Sequence, residues 1–166
     1  MGNDKLELDA ALESRPDDAN LWRLAAWSFA SKGQYKELVS MALRFLYPRD
    51  KTDGAVFSVV EELKQPAPEE ALRVVKQLIQ TNESNPSYWN LQGVLQRKTG
   101  DPVAALESHG RALAIDKNYA PFWYALGRAY EERGDRGRAC DAYDKALSLK
   151  PNYSKVRLRR SRLCGK

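Results

Sequence analysis

Histidine and cysteine are almost missing from this chain, which has one His and two Cys among 166 residues. A single histidine, His109, excludes most catalytic triads built within one chain, and no Cys or Asp stands at a helical spacing from it that would complete a site. Cys140 and Cys164 lie in different helical segments and form no Cys-x-x-Cys, so they suggest neither a redox motif nor a zinc site. Free thiols in a reducing compartment are the expectation. No stretch approaches the roughly eighteen consecutive apolar residues of a membrane span. The opening Met-Gly-Asn-Asp-Lys lacks the apolar run of a signal peptide and the Ser or Thr of a myristoylation motif. These features predict a cytoplasmic protein, or a fragment of a larger one, with no membrane contact.

Glycine-rich phosphate loops, Gly-x-Ser-x-Gly elbows and His-Glu-x-x-His motifs are also lacking. The acidic pairs Asp17-Asp18, Glu61-Glu62, Glu69-Glu70 and Glu131-Glu132 read as helix-start or solvated residues, suited to capping and solubility rather than acid-base work. The expectation is a non-enzyme without cofactor or metal.

What the chain does have is a repeat. Residues 86–119 and 120–153 carry the same residue types at an offset of 34. Trp89 aligns with Trp123, Gly93 with Gly127, Gly100-Asp101 with Gly134-Asp135, Ala105 with Ala139, and Ala112-Leu113 with Ala146-Leu147. A fixed period of this size marks a stack of units. Each unit reads as a helical hairpin: Gly100 ends one helix, Asp101 caps the next, and Pro102 occupies a first-turn position that has no N–H to satisfy. Gly134-Asp135 repeats this stop and start, Gly33 marks an earlier stop, and Pro66 to Pro68 followed by Glu69 and Glu70 marks another helix start. The small residues Gly93, Ala105 and Ala112 let paired helices approach while Trp89 fills the wider part of the gap.

The second of these units, with Trp123, Leu126, Gly127, Tyr130, Ala139, Tyr143, Ala146 and Pro151, resembles the tetratricopeptide repeat. The unit before it departs from that pattern at Gln92, Gln96, His109 and Lys117. Weaker copies precede it. Trp22, Ala26, Phe29 and Gly33 stand in register within 19–51, Ala11, Leu12 and Pro16 fit the end of a partial unit at 1–18, and the divergent unit 52–85 keeps Ala71. Residues 154–164 look like a first helix without its second. The resemblance implies an all-α fold, a right-handed α-solenoid of stacked antiparallel hairpins with about ten helices, forming one domain over 1–166. It also makes His109 a core packing residue in the place of an aromatic. Trp27 lies off the Trp22/Ala26/Phe29 face and is expected to pack on the N-terminal helix, with a ligand contact as the alternative.

Charge is uneven along the chain. From Ser154 onward stand Lys155, Arg157, Arg159, Arg160, Arg162 and Lys166 with no acidic residue. Removing these six from the chain's 27 basic residues leaves 21 against 22 acidic, so the net charge of +5 originates in the last helix. A polar cap on a repeat stack is one reading. The other follows from the resemblance: first helices of such hairpins line a concave groove, and some members grip a peptide's C-terminal carboxylate with a clamp of five polar residues. Its last two positions fall on Lys155 and Arg159, and its first three on Asn90, Val94 and Ala125, which do not match. Helical spacing places Asn90 with Arg97, Tyr124 with Arg128, and Lys155 with Arg159 and Arg162. These seven form the candidate peptide-binding groove. The expected function is a protein-interaction module, a scaffold or adaptor, for an acidic or carboxylate-ended peptide. The alternatives are a structural array or self-association, and nucleic-acid binding through the basic helix, which is disfavoured by the absence of aromatic stacking platforms there.

Overall fold

A computed structural model describes residues 3–16, 18–46 and 59–165. They are helical throughout apart from turns, with no strand among the described residues. The chain divides into two compact units, Met1–Thr81 and Asn82–Lys166.

In the first unit α1 spans Asn3–Ser14, α2 Ala19–Ser31, α3 Tyr35–Leu46 and α5 Pro68–Thr81, and a helical segment, α4, is described at residues 59–63. Asp18 opens α2 by accepting from the backbone N–H groups of Asn20 and Leu21. Leu12, Trp22, Ala25, Ala26 and Phe29 are buried, which confirms the repeat face read around Trp22. Pro68 and two first-turn glutamates start α5, whose inward stripe Ala71, Val74, Val75, Leu78 and Ile79 follows the helical period. Part of the divergent unit, residues 52–58, lies outside the described residues.

Trp27 corrects an expectation. Its side chain is 66% exposed rather than packed on α1, and Leu24, three residues earlier on α2, is 63% exposed. The indole of Trp22 takes the buried place instead, donating to the carbonyl of Pro16 at 2.8 Å.

The second unit contains α6 (Pro86–Lys98), α7 (Pro102–Ile115), α8 (Ala120–Glu132), α9 (Arg136–Leu149) and α10 (Ser154–Cys164). The turns are built as their residues dictate. Gly100 and Gly134 adopt φ of 85° and 79°, a region L-residues rarely visit, and the following Asp101 and Asp135 each accept an N–H three residues on. Within each hairpin the helices touch where a side chain is missing. A Cβ on Gly93 would lie 2.6 Å from the ring of buried His109, and one on Gly127 would lie 2.5 Å from the ring of buried Tyr143. His109 and Tyr143 are equivalent positions in the 34-residue repeat, and His109 is fully buried, so it packs as an aromatic would.

Two of the other departures in 86–119, Gln92 and Gln96, make polar contacts across the same hairpin. Ser108 on α7 hydrogen-bonds the side chains of Gln92 and Gln96 on α6 at 3.0 and 2.7 Å, and the Nδ1 of His109 bonds Asn90 Oδ1 at 3.1 Å. Gln92 and Gln96, which break the pattern on α6, thus find a polar partner on the facing helix.

The tryptophans of this unit, Trp89 and Trp123, are half-buried. Trp123 is half-buried rather than enclosed, packed between the Ala112/Phe122 cluster and the Ala139/Tyr143/Val156 cluster. The cysteines are joined: Cys140 on α9 and Cys164 at the end of α10 form a disulfide with Cα atoms 5.9 Å apart, in place of the free thiols expected. Packing of α10 against α9 brings together two residues that sequence spacing kept in separate helices.

Candidate functional site

First helices of the hairpins, α6, α8 and α10, carry all seven candidate residues, and two adjoining hollows collect them. One, of about 350 Å³, is lined by Tyr124, Lys155, Arg159 and Arg162, with Glu131 and Leu158. The other, of about 580 Å³, is lined by Asn90, Arg97, Tyr124 and Arg128, with Val94, Lys98, Pro121, Ala125 and Glu132. Tyr124 belongs to both. Its ring lies 6.0 Å from that of Tyr143 and 5.6 Å from that of Tyr153, which fixes it as a wall between the hollows.

Electrostatically the face is mixed in charge, with acidic residues among the candidate cations. Glu131 and Glu132 end α8 and turn into it, rather than standing as solvated ornaments. Glu132 accepts from Nε and Nη2 of Arg97 at 2.9 and 2.5 Å and from Nη2 of Arg128 at 2.9 Å. Only 10% of the Arg97 side chain is exposed, so this guanidinium is a buried member of a charge network rather than an open hook. Burial pushes the Glu132 carboxyl up, and the hydrogen bonds and charges of the two arginines outweigh it, holding the group below its ordinary value. Glu131 accepts from Arg159 at 3.0 Å through both carboxylate oxygens and from the Tyr143 hydroxyl at 2.5 Å. Burial, and then Glu131, push the Tyr143 phenol far above its usual value.

Three of the five candidate cations are therefore paired within the protein. Lys155 and Arg162 have no ion-pair partner among the described residues, and both are exposed. Asn90 also differs from expectation, since its side-chain oxygen is bonded to His109. With an amide oxygen facing Nδ1, that nitrogen carries the proton, and Nε2 is buried without a partner. Burial first, then the charge of Arg97, lowers the His109 value from 6.5 to about 3, against the opposing influence of Glu132, so the ring is neutral. No group of three or more His, Cys, Asp or Glu side chains able to hold a metal occurs among the described residues.

Sequence reasoning overlooked Glu131 and Glu132 as members of this face, and a signal for them existed. In the 34-residue register Arg97-Lys98 aligns with Glu131-Glu132, a reversal of charge between neighbouring first helices. Leu158, in register with Asn90 and Tyr124, was overlooked as well and is 53% exposed in the smaller hollow.

α10 is chemically unlike the helices it continues. Arg157 stands where the repeat has Trp and donates to the Pro151 carbonyl at 2.7 Å. Arg160, in the place of Leu126, pairs with Asp144, and Ser161 stands exposed in the place of Gly127. No helix of the described residues is long and apolar enough to cross a membrane.

Comparison with known proteins agrees with this geometry. The tetratricopeptide repeat matches over residues 61–121 and again over 120–153, together more than half of the chain. No match to a curated protein sequence is found. Among solved structures, YrrB, described as a TPR protein with an unusual peptide-binding site, is 24% identical at a TM-score of 0.65, covering 94% of this chain and 80% of its own. TTC0263, a thermophilic TPR protein of Thermus thermophilus, is 21% identical at a TM-score of 0.63, covering 95% and 87%. The first TPR of Spaghetti (RPAP3), bound to the HSP90 peptide SRMEEVD, is 16% identical at a TM-score of 0.62, covering 66% and 87%. On its repeats and its helical hairpins, the chain belongs to the tetratricopeptide repeat family.

Proposed function

We propose that this protein is a non-catalytic interaction module whose α6, α8 and α10 face holds an acidic or carboxylate-ended peptide. The observation that carries the reading is the smaller hollow. Lys155 and Arg162 stand there without an ion-pair partner among the described residues, beside the apolar surfaces of Tyr124 and Leu158. Exposed cations around a partly apolar floor suit a short anionic segment, with charge-assisted hydrogen bonds of roughly 1.5 to 3 kcal/mol each where water is excluded. Two such contacts and one apolar anchor correspond to micromolar affinity, about 8 kcal/mol. The peptide-bound RPAP3 repeat and the peptide-binding site named for YrrB give this reading precedent on the same fold.

The paired arginines have a supporting role in this account. Arg97, Arg128 and Arg159 fix Glu131 and Glu132 and hold the three first helices in place, while the open cations of α10 meet the ligand. Nucleic-acid binding through α10 is disfavoured because its basic run has no aromatic neighbour within the helix. Extension of the array past α10 is disfavoured because Arg157 and Ser161 replace the Trp and Gly that meet the second helix in the preceding hairpin.

The test is a titration of one acidic peptide and one oligonucleotide, with sedimentation of the protein alone. Peptide binding with a constant monomeric mass supports the reading. Oligonucleotide binding with a steep salt dependence, or concentration-dependent mass without peptide binding, would replace it.

A further inference from the structure

The smaller hollow has a spacing as well as a charge. Lys155, Leu158 and Arg162 share one face of α10 at intervals of three and four residues. The two cations thus stand about 10.5 Å apart along the helix axis, with Leu158 roughly midway. Across the hollow stands Tyr124 of α8. Between the cations the floor is closed to a further carboxylate, because Arg159 is taken by Glu131, which Tyr143 also bonds. Charge is therefore open only at the two ends, and apolar surface only in the middle.

We propose that this hollow reads an extended peptide segment of the order acidic, any, apolar, any, acidic, with Lys155 and Arg162 taking the two side-chain carboxylates and Leu158 with Tyr124 taking the apolar side chain. In an extended chain alternate side chains share a face and residues rise about 3.3 Å each, so the two acidic positions stand about 13 Å apart with the apolar one halfway. The long arms of Lys and Arg splay outward to cover the difference of about 2.5 Å. In a helical partner the same two acidic positions, four residues apart, would stand only about 6 Å from each other, short of the separation of the two cations. The intervening residues point to solvent and carry no sequence requirement. This inference rests on the acidic-peptide reading above and adds to it a spacing, an apolar requirement and a choice of side-chain over terminal carboxylates.

The experiment uses the full chain and three peptides, acetylated and amidated so that only side chains carry charge, with the cores Glu-Ser-Leu-Ser-Glu, Glu-Glu-Ser-Leu-Ser and Glu-Ser-Ala-Ser-Glu. Calorimetric titration at low salt is expected to rank the first about tenfold above each of the others, one contact being lost in each case. A charge exchange makes the assignment specific. Lys155→Glu should weaken the first peptide about tenfold and recover binding with one, not both, of the two peptides in which a single Glu is replaced by Lys. Lys155 is exposed, so the variant folds as the parent does. Three affinities within about twofold of one another, or no recovery by either exchanged peptide, overturn the spacing while leaving acidic-peptide binding intact. The first peptide is titrated also with its C-terminus free: binding only in that form overturns the side-chain assignment in the same way, and no binding by any acidic peptide overturns the functional reading with it.

Discussion

The Nη2 of Arg157 lies 2.7 Å from the carbonyl oxygen of Pro151, reproducing in the last helix the bond that Trp123 makes to Lys117 and Trp89 makes to Glu83. In each case the donor reaches six residues back, closing the loop between one hairpin and the next first helix. Trp22 and Pro16 do the same in the first unit. In the last helix a guanidinium performs this bond while leaving a solvated outer surface, which an indole would not.

Replacing Arg157 by Ala should lower stability by about 1 kcal/mol, the net worth of a partly exposed hydrogen bond. Thermal unfolding monitored by circular dichroism measures this. An unchanged midpoint would mean that the bond is not holding the loop.

Close helix contact at Gly93 and Gly127 gives a second test. Gly93→Ala and Gly127→Ala place a methyl group against buried rings that must shift to admit it, and each should cost roughly 1 to 3 kcal/mol. Gly93→Ala combined with His109→Ala should cost less than the two changes added together, because the ring that clashes is gone. Strict additivity in denaturant unfolding would contradict the contact.

How much of this was legible in the sequence depended on the distance between partners. Caps such as Asp101 and Asp135, and helix stops such as Gly100, depend on neighbours three or four residues away, so local pattern sufficed to place α6 to α10. Trp27 was misplaced because an apolar residue on a first helix can face either the core or the groove, and nothing local distinguishes them. The Arg97–Glu132 pair and the Cys140–Cys164 bond each join residues from different helices, visible only once the hairpins are stacked. Of the seven candidate site residues the helical spacing grouped each helix's own members, but which cations are already neutralised is a property of the stack.

The pH dependence of stability follows from His109 and Glu132. His109 has a folded value near 3 against 6.5 in the unfolded chain, so between these limits the unfolded state binds a proton that the folded state does not. Its contribution is complete above 6.5 and declines below it by about 1.4 kcal/mol per pH unit. Glu132, lowered in the folded state, acts in the same direction and loses its contribution as pH falls through its folded value. Lowering pH from about 7 to about 5 should therefore cost about 2 kcal/mol from His109. Urea unfolding at both pH values should show this loss in the parent and lack it in His109→Phe. Equal losses in the two proteins would contradict the assignment.

The disulfide between α9 and α10 closes a segment of 24 residues, and a link of that span contributes about 3 kcal/mol by limiting the unfolded chain. Reduction should lower the unfolding midpoint, and Cys140→Ser should lower it equally whether or not reductant is present. A parent protein indifferent to reductant, with two titratable thiols, would show that the bond does not form.

The central claim is that the open cations of α10 hold the ligand. It is tested most directly by calorimetric titration of one acidic peptide into the parent protein, a Lys155→Glu/Arg162→Glu variant and an Arg111→Glu variant whose change lies on the surface of α7. The account predicts roughly a hundredfold loss of affinity or more in the first variant, about 1.4 kcal/mol for each charge contact, with unaltered helicity and with the second variant binding as the parent does. Equal affinity in all three proteins would contradict it.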